Sequence, residues 1–299
     1  MVTVRTEHFG SQLEDGLSEI FDDVWDEFDS NISELFNVKT TDRPFERDVA
    51  IGGFKYFPKF EGTVEYDRNY EQYETTYEFP EYAAGFQIER KLYDDQMYGV
   101  IEQKPRGLAE AARRTRERHA AMIFNNAFDT DYPGGDGKPL CATDHPTKSP
   151  DGPASRSNAG TLELNHANLW STVLSMRQSY DDRGNKIPIT PTLLLVPDKL
   201  FETAWKLVQS EQVIQQADQN PNVHQGQFRV VTWYELDNDD AWFLIDQKYM
   251  KMFLKWYDRI PIEFKFEQDF DTYVAKFAAY MRYECGFSHW QWIYGQDAS

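Results

Sequence analysis

Apolar residues three and four apart open the chain. Leu13, Leu17, Ile20, Phe21, Val24 and Phe28 share one face of a helix predicted over residues 9–31, and Glu14, Asp15, Asp22, Asp23, Asp26 and Glu27 fill the other. Two uses fit this pattern: a helix capping its own domain, and an arm docked on a neighbouring subunit. The pattern does not separate them. The stretch NVKTTDRPFERD that follows reads as a polar linker.

From Ile51 to Arg90 the period becomes two. Phe54, Tyr56, Pro58 and Phe60 alternate with Lys55, Phe57 and Lys59; after a turn near Asp67–Asn69, Tyr73, Thr75, Tyr77 and Phe79 alternate with Glu74, Thr76 and Glu78. Alternation on both sides of a turn predicts a β-hairpin with one aromatic face. A hairpin alone is marginal in water, so this one needs a surface to lie on, either its own domain or another molecule.

A short helix is predicted over residues 92–101, then a break at Lys104–Pro105. A long helix follows from Pro105 to Phe128, proline being tolerated at a helix start. Leu108, Ala112, Thr115, His119, Met122 and Ile123 draw its apolar stripe, and Arg113, Arg114, Arg116, Glu117 and Arg118 its polar side. A loop rich in Gly, Pro and Asp then runs to about Asn158. Beyond it the pattern predicts a helix over residues 165–180 and a buried strand in PTLLLVP. Next come a helix capped by Asp198 with Phe201, Ala204, Trp205, Leu207 and Val208, and a polar loop QSEQVIQQADQNPNVHQG. Residues 228–234 and 241–245 read as strands paired across LDNDD; past them Ile262, Phe264 and Phe266 alternate again, Trp290–Tyr294 reads as a strand, and Thr272–Cys285 fits either a strand or a helix.

Composition narrows the function. With 299 residues, 40% of them apolar, and 8 Trp, 17 Tyr and 21 Phe, the chain has a large core to build. A net charge of −19 argues against a dedicated nucleic-acid binder. No apolar run reaches membrane-spanning length, and MVTVRTEHFGSQLEDG lacks the pattern of a signal peptide. Two cysteines, Cys141 and Cys285, make no disulfide framework and point to a reducing compartment.

The chemical motifs are weak. Cys141, His145, Cys285 and His289 form two Cys-x-x-x-His halves that could complete a tetrahedral zinc set, but neither half has finger spacing. Asp129, Asp131 and Asp136 fail as a calcium loop, since Pro133 and Leu140 stand where ligands should. Gly134, Gly135 and Gly137 lack the lysine and hydroxyl of a phosphate cradle. No catalytic, cofactor or metal residue is predicted, and the weight shifts toward a structural role.

The order of elements resembles the major capsid protein of tailed bacteriophages, and within it the Mu-type major head subunit family. The residues that carry the likeness are FEGTVEYDRNYEQYETTYEFPEYAAGFQIERKLYDD, AAMIFNNAF, and GDGKPLCATDHP with SN shortly after. LLLVPDKLFETAWKLVQS and MRYECGFSHWQWIYG echo it more weakly, and the whole spans about residues 50–295. The resemblance implies an α+β chain with the HK-type capsid fold: an N-terminal arm (1–48), an extended loop (49–91), a peripheral domain (92–189) with spine helix 105–128, an axial domain (190–245), and return strands of the peripheral domain (246–299).

It implies further that Phe54, Tyr56, Phe60, Tyr66, Tyr73, Tyr77 and Phe79 lie at a subunit interface, and that Leu108, Ala112, His119, Met122 and Ile123 belong to the spine. The expected partners are other copies in hexamers and pentamers, a portal, scaffold or decoration proteins, and packaged double-stranded DNA held by weak contacts, with no membrane. The expected location is the virion, assembled in the host cytoplasm. Two alternatives stand beside it: an encapsulin-like compartment shell, and a carbohydrate-active enzyme with paired carboxylates and exposed tryptophans.

Overall fold

The computed structural model describes residues 7–27, 30–51, 53–54, 56–64, 66, 71–95, 97–149, 152–212, 221–269, 271–272 and 274–299. Helix α1 (Glu7–Asp26) presents Asp15, Asp22, Asp23 and Asp26 of the predicted acidic face to solvent and buries Leu17, Phe21 and Val24 on its own chain. Each such side chain removed from water contributes about 1.5–3 kcal/mol, so this helix caps its own domain. The helix predicted to reach Asn31 stops earlier, and Phe28 lies outside the described residues. Ser30 starts a new helix, α2 (Asn31–Leu35), by accepting from the Ile32 N–H at 3.1 Å.

The stretch expected as a polar linker forms two strands instead, β1 (Asn37–Thr40) and β2 (Phe45–Ile51). Strand β3 (Glu71–Glu78) pairs antiparallel with β2, from Phe45 opposite Glu78 to Ile51 opposite Glu71. The predicted hairpin of 54–60 on 73–79 is therefore corrected. Residues 56–64 form no strand, Pro58 lacks a ladder donor, and Gly62 adopts φ +98°. Phe79–Pro80 separates β3 from β4 (Glu81–Glu89), which joins another sheet.

After α3 (Arg90–Asp94) comes the long helix α4 (Tyr98–Asn125), which starts earlier than predicted and carries Pro105 inside it. Proline there leaves the Ile101 carbonyl without its helical donor, a local defect the remaining turns outweigh. The buried face of α4 is also rotated from the predicted stripe: Ile101, Ala109, Ala112, Ala120, Ala121 and Phe124 face the core, whereas Met122 is exposed. Ala109, Ala120 and Ala121, absent from the predicted stripe, join Ala112 in letting this helix approach the sheet closely.

The Gly/Pro loop holds short strands β5 (His145–Pro146), β6 (Ser155–Arg156) and β7 (Ala159–Gly160). Helix α5 (His166–Arg177) is capped by Asn165 and followed by β8 (Leu193–Val196), all of it buried. Asp198 does not cap α6 (Phe201–Gln209) but opens a 3-10 turn ahead of it. The pairing expected across LDNDD is corrected: β9 (Arg229–Thr232) and β10 (Ala241–Ile245) do not pair with each other, and β8 lies between them, parallel to β9 and antiparallel to β10. The chain closes with α7 (Gln247–Phe253), β11 (Leu254–Gln268), β12 (Val274–Phe287) and β13 (Ile293–Asp297).

Two sheets result. One runs β1-β11-β12-β4, its long β11–β12 pair crossed by α1 and α4; the other runs β7-β13-β10-β8-β9, with α5 and α6 packed on it through Leu169, Val173, Ala204 and Val208. The largest core, around Phe124, Trp233, Phe243, Trp256 and Trp292, joins them.

Candidate subunit interface

The residues predicted to meet a neighbour divide into two sets. Phe54, Tyr56, Phe60 and Tyr66, with Phe57 between them, are 60%, 74%, 69%, 91% and 94% exposed. Tyr77 and Phe79 are buried instead, on Tyr257, with ring centroids 5.2 and 6.4 Å away. Burial and the nearby Asp48 carboxylate push the Tyr77 hydroxyl pKa upward, and burial pushes that of Tyr257 up to about 12. Tyr73 is half-buried, with the Lys148 ammonium 4.4 Å from its ring centroid.

The exposed segment is tied at its base. The Gly53 N–H donates to Asp182 Oδ1 at 3.0 Å, Gln72 Nε2 donates to Asp182 Oδ2 at 2.7 Å, and Asn185 Nδ2 donates to the Phe54 carbonyl at 3.2 Å. The turn that supplies these groups is built by Asp181, whose Oδ1 accepts from the Arg183 and Asn185 N–H groups, and by Gly184 at φ +85°. Asp182 and Asn185 were missed in the sequence; only the turn chemistry of DDRGN could have flagged them.

Of the spine residues, Ala112 is buried, and Leu108, His119 and Ile123 are half-buried. His119 Nδ1 lies 2.6 Å from the Tyr283 hydroxyl, and burial lowers the imidazole pKa. Arg116, expected on the solvated side, points inward and grips both carboxylate oxygens of Asp258 at 3.0 and 3.1 Å, stacked 4.8 Å over Trp256. Its neighbour Glu117 is buried as well, hydrogen-bonded to Ser30, and desolvation raises its carboxyl pKa.

The Gly/Pro loop is organised by a buried polar knot. His145 bonds Asp136 Oδ2 at 2.7 Å and Asn158 Oδ1 at 2.9 Å, and stacks on Trp290 with centroids 4.0 Å apart. Asn158 also accepts from the Ala142 N–H and donates to the Leu140 carbonyl. Thus GDGKPLCATDHP, SN and SHWQW, far apart in sequence, converge here.

The four-residue zinc set does not form. Cys141 is buried beside Gly295 and Phe128, Cys285 lies 3.7 Å from the His119 carbonyl, and both thiol pKa values are raised by burial. Among the described residues no cluster of His, Cys, Asp and Glu could hold a metal ion. His289 accepts from the Gln291 N–H at 3.1 Å, and burial lowers its pKa to about 3.

Two large sheets share one core, and exposed aromatic side chains stand on a segment tied at its base. The chain belongs to the phage capsid protein family, whose model matches residues 72–295. It is a major capsid protein, a structural shell subunit of a bacteriophage virion and not an enzyme. Its α+β architecture is the HK-type capsid fold, seen in the bacteriophage JBD30 capsid decorated with minor capsid protein trimers (TM-score 0.57, 14% identity, covering 70% of this chain and 92% of that one). The mature capsid of bacteriophage PhiM1 is similar at TM-score 0.58 and 11% identity over 90% of this chain and 87% of that one. A virus-like particle from Pyrococcus furiosus is similar at TM-score 0.53 and 10% identity over 95% and 98%. No curated protein sequence matches the chain. The matched structures are capsid and procapsid assemblies of many copies, which supports self-association of this chain into a shell.

Proposed function

We propose that the chain assembles, in the host cytoplasm, into hexamers and pentamers of the icosahedral head of a tailed bacteriophage of the Mu type, and that the head encloses double-stranded DNA. The observation that carries this is the exposed aromatic run Phe54, Tyr56, Phe57, Phe60 and Tyr66, an apolar surface that a lone chain would not keep in water. In this reading residues 49–91 are the extended loop across a neighbour. Residues 1–48 are the N-terminal arm, with its helix α1 packed back on its own domain, 92–189 and 246–299 the peripheral domain around the spine, and 190–245 the axial domain. The exposed pair Phe201 and Trp205 on α6 gives the axial lobe its own contact surface.

The balance of 50 acidic against 31 basic residues keeps contacts to packaged DNA weak, so that it moves freely inside. A portal, a scaffold and a decoration protein complete the expected partners; decoration by minor capsid protein trimers is described for the JBD30 capsid. The test is electron microscopy of the purified protein with sedimentation alongside, with and without candidate scaffold. Closed particles or rings of five and six support the proposal. A chain that stays monomeric under every assembly condition overturns it.

A further inference from the structure

A cleft of about 720 Å³ opens between β3, the C-terminal part of α4, the 132–135 loop and β12. Its apolar walls are Tyr77, Tyr82, Met122, Ile123, Tyr132 and Phe287, and Glu74, Glu78 and Glu284 line it with carboxylates. The loop wall is seated firmly: a Cβ on Gly134 would meet the Phe287 ring at 2.5 Å, and one on Gly135 would meet the Glu74 carbonyl at 2.7 Å. Glu74 is answered by Arg47 at 2.7 Å. Glu78 is exposed, while burial raises the Glu284 carboxyl pKa. Such a site favours a ligand with aromatic rings and positive charge together.

We propose that this cleft receives the segment YFPKF, residues 56–60, of a second copy of the chain. The segment sets Lys59 among Tyr56, Phe57 and Phe60, and a chain of net charge −19 has little basic surface to spare. Within one chain segment and cleft do not meet, since Tyr56, Phe57 and Phe60 remain 74%, 94% and 69% exposed. The base of the segment is held by Asp182 and Asn185, so its aromatics are presented outward at low ordering cost. Aromatic anchors entering an apolar cleft supply affinity, and Lys59 against Glu78 fixes the register. This inference rests on the shell reading above and names the surface that receives the loop.

The test is a charge exchange read by sedimentation and electron microscopy. Lys59→Glu and Glu78→Lys are made singly and together; both positions are exposed, and circular dichroism confirms that each variant folds. Each single variant is expected to lose at least tenfold in particle yield, and the double variant to recover most of it. Single variants that assemble like the wild type, or a double variant as defective as the singles, overturn the pairing while wild-type particles leave the shell reading intact. A wild type that forms no particles under any condition overturns the shell reading itself, and the pairing with it.

Discussion

The imidazole of His145 lies flat on the indole of Trp290, centroids 4.0 Å apart and planes 12° from parallel, with both residues buried. Through that stack the Gly/Pro loop that leaves the long helix is fastened to the strand end near the C-terminus. The loop is a folded part of the core, although its composition is that of a turn.

Asn158 holds the knot together by serving His145, Ala142 and Leu140 at once. Asn158→Ala strands several buried polar groups, each worth about 1–3 kcal/mol when unpartnered. The expected loss is about 2–4 kcal/mol, seen as a lower urea midpoint with an unchanged slope.

Arg116 and Asp258 form a buried, two-pronged ion pair roofed by Trp256. Removing one partner of such a pair costs about 3–5 kcal/mol, because the other charge stays buried alone. Arg116→Ala is expected to fall in that range by urea titration. Arg116→Lys is also expected to destabilise, since an ammonium cannot bridge both oxygens.

His289 is neutral in the folded chain: its pKa is depressed to about 3, against 6.5 for a free imidazole. The unfolded chain therefore takes up the proton first. The stabilisation is complete above pH 6.5 and is lost as pH falls from 6.5 toward 3, at up to about 1.4 kcal/mol per pH unit. His289→Gln, which keeps an acceptor for Gln291, is expected to flatten the decline in stability between pH 7 and pH 5. Guanidinium titrations at the two pH values measure it.

Phe57, at 94% exposure, and Tyr77, at 2%, are expected to respond in opposite ways. Phe57→Ser leaves stability within about 0.5 kcal/mol but lowers particle yield at least tenfold. Tyr77→Asp buries a carboxylate against Tyr257 and Phe79 and destabilises the monomer by about 3 kcal/mol or more. Thermal melts beside sedimentation separate the two.

Asp182 anchors the base of the exposed segment. Asp182→Ala leaves the Gly53 N–H and the Gln72 amide without their acceptor. Faster hydrogen exchange at residue 53, with little change in the protection of β8 and β10, is the expected result.

The sequence by itself determined the elements whose pattern is local. The acidic helix at the N-terminus, the long helix through Ala120, the buried LLLV strand and the family likeness all follow from periodicity, propensity and ordered motifs. Tertiary structure decided what depends on partners far away in the chain. Pairing of β3 with β2, and the wedge of β8 between β9 and β10, turn on backbone groups that any strand offers alike. Whether an aromatic of the alternating run meets water or a neighbour in its own chain depends on which strand arrives beside it. Tyr77 met Tyr257 and was buried; Phe57, following Tyr56 on a segment interrupted by Pro58 and tied at its base, stayed exposed among the described residues. Side-chain chemistry fixes what a residue can bury, and only the path of the whole chain fixes what it is buried against.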